Sequence, residues 1–261
     1  MDNHAPAYRV VLALAARALQ GSLRRPQFLA PLALFPSLFL AVNVGGLHRT
    51  TSLPGFPHVH GFLDFQLAGA MTQSLLLGGV ATGIATALEI EGGFFDRLVA
   101  APIPRTAIVF GRLLAGAVIS AGQVTYFLLL GFIFGAHVAG GILGVACVYL
   151  VGTIAGVGFG AIGQALALRA RSASTVQGVF PLVFVVLFVS SAFFPRDLLS
   201  SPADSIAKYN PLSYIAEGMR HPIIDSASAH SLLQGVGAAA LVVVVAGGMA
   251  VAALRGRLRE A

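Results

Sequence analysis

Residues 232–254 read LLQGVGAAALVVVVAGGMAVAAL, a stretch with no acid, no base and no histidine. At 1.5 Å per residue a helix of this length spans about 34 Å, enough to cross the roughly 30 Å hydrocarbon core of a bilayer. Five more runs share the property: Phe28–Leu47, Gln66–Leu88, Leu113–Gly135, Ile142–Leu168 and Val176–Phe194. A membrane β-barrel would show weak alternation over runs of about ten residues instead. The sequence therefore predicts an all-α integral membrane protein with six transmembrane helices.

Composition agrees. Of 261 residues, 57% are hydrophobic and only 10% charged, against about 25% charged in soluble domains. Mean hydropathy is +0.86. The net charge of +6 is not a nucleic-acid footprint, because the charges fall between apolar runs and not on one soluble face. A single cysteine, Cys147, permits neither an intrachain disulfide nor a cysteine metal site.

The basic residues predict an orientation. The N-terminal segment, the loop after the second run, the loop after the fourth and the C-terminus together hold twelve arginines, Arg259 among them. The other side holds Arg49, Arg196, Lys208 and Arg220. The richer side is cytoplasmic by the positive-inside rule, which places both termini inside. The first run carries Pro31 and Pro36, lacks a small-residue cleavage site, and is expected to be a retained helix. Before it, Arg9, Arg17, Gln20 and Arg24 share one arc of about 80° at helical spacing. Residues 1–27 thus read as an interfacial helix meeting anionic lipid headgroups, the alternative being a cytoplasmic extension of the first span. Residues 28–254 form the transmembrane domain, and 255–261 a basic tail.

Several chemistries are absent from the sequence. There is no HExxH motif and no G-x-x-x-x-G-K-[ST] loop. His58 and His60 make only a weak metal pair, and no metal is expected. The six runs contain no carboxylate of the kind that ion-coupled transporters use. A bundle of this kind needs an outside energy source or is a passive scaffold.

The loop 89–112 carries the clearest signal. It contains Glu89, Glu91, Gly92, Phe94, Phe95, Asp96, Arg97, Leu98, Pro102 and Arg105. Phe94, Phe95, Leu98 and Val99 fall on one face of a short helix, which Pro102 and Pro104 end. Such a helix suits docking into a groove on a soluble partner; equally, it could be an interfacial cap on the bundle.

This loop resembles that of the ABC transporter type-2 permeases, most nearly the membrane subunits of daunorubicin-type drug exporters. The resemblance rests on Glu89-Ile-Glu91-Gly92, Arg97-Leu98 with Pro102-Ile-Pro-Arg105, and Gly111-Arg112-Leu113. A second match lies in Phe188-Val-Ser-Ser-Ala-Phe-Phe194-Pro195 and Asn210-Pro211-Leu-Ser-Tyr214-Ile-Ala-Glu217-Gly-Met-Arg220. Gly93-Phe94 departs from the Gly-Thr of many members. The resemblance implies a permease dimer, of two copies or of two paralogues, bound to two separate nucleotide-binding subunits. Those subunits would carry ATP and magnesium; this chain would hold no cofactor and would not itself be an enzyme. Glu89, Glu91, Asp96, Arg97 and Arg105 would orient the docked ATPase, and Phe94, Phe95 and Leu98 would supply buried area.

The segment 195–230 is expected to hold a helix N-capped by Asn210 with Pro211 at its first position. Its apolar stripe is Leu212, Ile215, Ala216 and Met219, and Glu217 and Arg220 are spaced to pair. The resemblance implies a re-entrant external gate involving Phe194, Pro195 and Tyr214, with a plain surface hairpin as the alternative. Phe180, Phe184 and Phe188 stripe the fifth run. Ala68, Thr72, Gly79, Gly83 and Thr86 share a face of the second, where Thr82 is a further hydroxyl. The resemblance places both runs near the dimer axis, as lining for a hydrophobic or amphiphilic cargo; simple packing is the alternative. The glycines of the fourth run, at four-residue spacing, read as packing within the subunit. Gln123, Gln164 and Asn43 are expected to hydrogen-bond between helices. The function expected is the permease subunit of an ATP-driven exporter of a drug, lipid or glycolipid in a bacterial plasma membrane. A polysaccharide exporter and a non-transporting scaffold for an ATPase are the alternatives.

Overall fold

A computed structural model describes residues 6–260, with side chains for all but 197 and 258–260. The ends of the units read as 1–27 and 255–261, and the Asp197 and Arg259 side chains, lie outside the described residues. The described residues form α1 (Ala7–Leu23), α2 (Pro26–Leu47), α3 (Phe62–Glu91), α4 (Phe94–Ala100), α5 (Arg105–Ile133) and α6 (Gly141–Ala170). They continue with α7 (Ala173–Gln177), α8 (Phe180–Phe188), α9 (Ala203–Tyr209), α10 (Pro211–Ile224) and α11 (Ala229–Glu260). Among the described residues five helices, α2, α3, α5, α6 and α11, are long and apolar enough to cross a membrane. Their outward residues are large and apolar: Leu38 and Val42 on α2, Phe132 and Ile133 on α5, Ile142 and Leu143 on α6, Val244 and Val245 on α11. A belt of this extent marks a surface covered by lipid. The protein is a multi-pass membrane protein.

α1 is a helix of its own and not an extension of α2. The chain breaks at Arg25 (φ −122°, ψ 70°) and restarts with Pro26 in the first turn, where a missing N–H costs nothing. α1 then turns back along α5, its Leu14 and Ala15 against Gly111.

α3 is the central helix. It touches α2, α5, α6, α7, α8 and α10. Its face carrying Gly79 and Gly83 crosses α6 at Gly163, where a β-carbon would strike backbone. Small residues let two helices approach this closely. The α6 glycines behave as the sequence suggests: Gly144 abuts Pro222, and Gly152 and Gly156 abut Val124 and Ser120 of α5.

Pro36 lies inside α2 and cannot donate to the Leu32 carbonyl one turn back. The Ser74 hydroxyl of α3 donates to that carbonyl at 2.6 Å. Gln123 of α5 donates from Nε2 to the Ser74 hydroxyl (2.9 Å) and carbonyl (2.8 Å). Three helices are thus tied by one network that satisfies backbone where lipid could not. Asn43 differs from expectation, because its amide donates to Phe39 of its own helix at 2.8 Å. The Gln164 side chain is fully buried and makes no hydrogen bond among the described residues.

The fifth apolar run, expected as one helix over 176–194, is broken. α7 ends at Gly178, α8 begins with Pro181 in its first turn, and helix stops at Phe188. The stop has a physical cause. The backbone of Ser191 and Ala192 is taken by α10: the Arg220 guanidinium donates to both carbonyls, and the Ser213 hydroxyl accepts from the Ser191 N–H at 3.1 Å. Non-helical backbone survives at membrane depth only when protein satisfies it in this way.

Candidate functional site

The two ends of the bundle hold the charged residues. At one end α3 runs out at Glu91, and Gly93 adopts φ +68° before α4, a left-handed turn that suits glycine. This glycine lets the chain reverse in two residues, so that α4 folds back against the bundle. Phe95 points inward. It is fully buried in a cluster with Ile90, Ile108, Leu168 and Leu254. The sequence reading gave Phe95 to the partner's surface; here it anchors α4 to this chain's own core. Phe94 is half-buried beneath the Arg17 guanidinium, 3.5 Å from the ring centre. Leu98 and Val99 pack at the edge of the same cluster.

α4 and its flanks turn their charged residues outward. Gly92, Asp96, Arg97, Ala100, Pro102 and Arg105 are exposed. Asp96 accepts a hydrogen bond from Arg257 at 2.8 Å, which pins the end of α11, and Arg257 lies 4.9 Å from the Phe95 ring centre. Glu91 accepts from the N–H of Ala173 at 2.8 Å, so it steadies the first turn of α7. Glu89 pairs with Arg112 of α5 and lies 3.6 Å from Arg17 of α1. Arg112 also donates to the Thr86 hydroxyl at 2.9 Å. The sequence counted Arg112 toward orientation and toward the Gly-Arg-Leu motif; its burial is what the sequence could not show.

At the other end, α10 is built as the sequence suggests. The Asn210 carboxamide oxygen accepts from the Leu212 N–H at 3.0 Å and Pro211 follows it. Leu212, Ile215, Ala216 and Met219 are buried. The helix continues through Pro222 to Ile224. It packs so tightly on α11 that a β-carbon on Gly218 would come within 2.7 Å of Gly235. Arg220 is fully buried. It donates to the carbonyls of Phe65 (3.1 Å), Ser191 (3.0 Å) and Ala192, and to Glu217 at 2.5 Å. Its guanidinium also stacks 3.9 Å from the Phe65 ring centre. Tyr214 donates to the Lys208 carbonyl at 2.8 Å, linking α10 to α9. Pro195 is buried and Phe194 exposed. A buried Asp64, not singled out in the sequence, accepts from the His137 N–H at 3.1 Å nearby.

The residues expected along a pathway are dispersed. Thr72 and Thr86 are enclosed within the subunit, and each donates to the carbonyl four residues back in its own helix. Their face packs on α6 and opens no cleft. Thr82 alone of the three lines an open cavity. Phe180, Phe184 and Phe188 form a ladder, with successive ring centres 5.3 and 6.4 Å apart. Phe35 and Phe39 of α2 meet its last two rungs edge-on, at 5.5 and 6.0 Å. Phe180 and Phe188 keep an exposed edge.

Comparison with known proteins is consistent with this arrangement. The sequence pattern of the ABC-2 type transporter family matches residues 9–224. The daunorubicin resistance ABC transporter permease protein DrrB1 of Streptomyces coeruleorubidus is 27% identical over 208 residues, 78% of this chain and 71% of that protein. The protein named "Putative transport permease ycf38" in Porphyra purpurea is 28% identical over 205 residues, 76% of this chain and 68% of its own. Matched from α1 to the end of α10, the chain belongs to the ABC-2 type transporter family, a family of transport permease subunits.

Proposed function

We propose that this chain is the permease subunit of an ATP-driven exporter in a bacterial plasma membrane. It moves a hydrophobic or amphiphilic molecule, a drug, lipid or glycolipid, out of the cytoplasm or the inner leaflet. Energy comes from ATP and magnesium on a separate nucleotide-binding subunit. The observation that carries this reading is α4, a short helix anchored by buried Phe95 that presents Asp96, Arg97 and Ala100 outward. A rigid, polar-faced knob of this kind transmits a push from a docked partner into α3, α5 and α11.

The α4 end is cytoplasmic in this proposal, because most of the arginines lie there. Six crossings fit the geometry better than five. α7 starts beside Glu91 at the C-terminal end of α3, whereas Arg220 reaches Phe65 at the opposite end. In this reading the broken α7–α8 segment traverses the bundle once, with Arg17 of α1 and Arg257 of α11 both beside α4. The segment 195–230 then re-enters from outside and caps the bundle. α3 is largely enclosed by its own subunit, and the aromatic face of α2 and α8 is the one this reading gives to that copy or paralogue. The daunorubicin resistance permease DrrB1 supports a lipophilic cargo.

Co-reconstitution with a stand-alone nucleotide-binding subunit, sought among the neighbouring genes, is the test. The reading expects ATP hydrolysis to rise with lipophilic cargo, and that cargo to accumulate in inside-out vesicles only with ATP. Hydrolysis indifferent to every lipophile, with no ATP-dependent accumulation, would favour the scaffold.

A further inference from the structure

Between α1, α2, α3 and α5, at the α4 end, lies an open cavity of about 480 Å³. That is the size of a small-molecule site, roughly 300–1,000 Å³. Arg17, Arg24, Arg25 and Arg112 line it together with one acid, Glu89. Glu89 is already engaged by Arg112 and Arg17. Arg24 and Arg25 are exposed, and among the described residues neither has an ion pair or side-chain hydrogen bond. Further along the same helices the walls turn apolar: Leu29 and Leu32 on α2, Ala81 and Ala85 on α3, Ala115 and Ile119 on α5. The Thr82 hydroxyl is spent on the Gly78 carbonyl at 2.9 Å, so the deep part offers little to a polar group. From Arg112 to Ile119 the helix rises about 10 Å, room for the first part of an acyl chain.

We infer that this cavity binds an amphiphile with an anionic head and an acyl tail. The head, phosphate or carboxylate, sits among Arg24, Arg25 and Arg17, and the tail lies between α2, α3 and α5. Guanidinium forks bind such oxyanions bidentately, and three of the four arginine charges are uncompensated by Glu89. The same excess disfavours a cationic head. The break at Arg25 places the two free arginines where α1 leaves the bundle, at headgroup depth. This deepens the export reading and rests on it only for the membrane placement.

The test is lipid retention by the purified full-length chain, read by native mass spectrometry. The chain is equilibrated with equimolar phosphatidylglycerol and phosphatidylcholine of identical acyl chains. Wild type should keep phosphatidylglycerol with about a tenfold preference, the effect of roughly one charge-assisted contact. Arg24→Gln with Arg25→Gln should abolish the preference. Arg169→Gln with Arg255→Gln removes equal charge from exposed positions away from the cavity and should leave it intact. Gly116→Leu meets nothing within 4 Å at its β-carbon, fills the apolar part, and should lower retention of phosphatidylglycerol. Equal retention of both lipids, an equal loss in both double variants, or full displacement by inorganic phosphate would overturn the inference. Because neither ATP nor a partner enters the measurement, its failure leaves the export reading standing, and failed transport leaves this site standing.

Discussion

Arg112 and Arg220 are both buried, but they are held differently. Arg112, at the α4 end, is held by side chains, the Glu89 carboxylate and the Thr86 hydroxyl. Arg220, at the α10 end, is held mainly by backbone, the carbonyls of Phe65, Ser191 and Ala192, with Glu217 as its one acidic partner. Side-chain partners can exchange. Glu89 already reaches a second arginine, Arg17, so α1, α3 and α5 share a cluster that can rearrange. Carbonyls cannot exchange without moving the chain, so Arg220 fixes α3, α10 and the turn after α8 as one body. The adjustable end is where a partner is proposed to dock; the fixed end is where the external cap closes.

The largest test of that contrast is Arg220→Ala. It leaves the non-helical Ser191 and Ala192 carbonyls without their donor, and each buried acceptor left unpaired costs about 1–3 kcal/mol. Thermal unfolding in detergent should show the protein failing to fold or melting far below wild type. Arg220→Lys should rescue it poorly, since one ammonium cannot span the four acceptors. A wild-type melting temperature in Arg220→Ala would remove the idea of a fixed end.

Phe95→Ala comes next. A fully buried phenylalanine reduced to alanine costs about 3–5 kcal/mol, here concentrated under α4. The variant should melt early and lose coupling between hydrolysis and transport. Glu89→Gln should cost less, about 1–3 kcal/mol, as Arg112 loses its charge partner but keeps Thr86. Its effect should be larger at low salt if Arg17 is the second partner. Smallest in stability is Asp96→Ala, whose exposed pair with Arg257 is worth about 0–1 kcal/mol. That variant should melt like wild type and still uncouple transport from ATP hydrolysis. If it transports normally, α4 docks nothing through Asp96.

Much of this architecture was legible from residue order. Apolar runs of twenty or more residues can only be helices in lipid, so α2, α3, α5, α6 and α11 followed from length alone. Asn210-Pro211 announced α10, because both residues act locally, at its first turn. The three-residue spacing of Glu217 and Arg220 announced their pairing in the same way. What failed was whatever depended on a distant partner. The run 176–194 reads as uniformly apolar, and nothing within it shows that Arg220 captures the Ser191 and Ala192 carbonyls. Phe95 and Phe94 are indistinguishable by periodicity; Gly93 sets the angle of α4, and that angle decides which ring is buried. The Thr72 and Thr86 face reads as a hydroxyl-bearing lining until Gly163 of α6 is brought onto it.

The proposal that the α4 end docks the ATPase can be measured most directly by cross-linking. Cys147 is buried and is the only cysteine, so a Cys147→Ser background accepts single reporters. Ala100→Cys reports the outer side of α4, and Leu53→Cys, also exposed, reports the opposite end. In membranes containing the ATPase subunit, a short thiol–amine cross-linker should join that subunit to position 100 and not to position 53. No cross-link at position 100 in a complex that still co-purifies, or equal capture at both positions, would contradict the account.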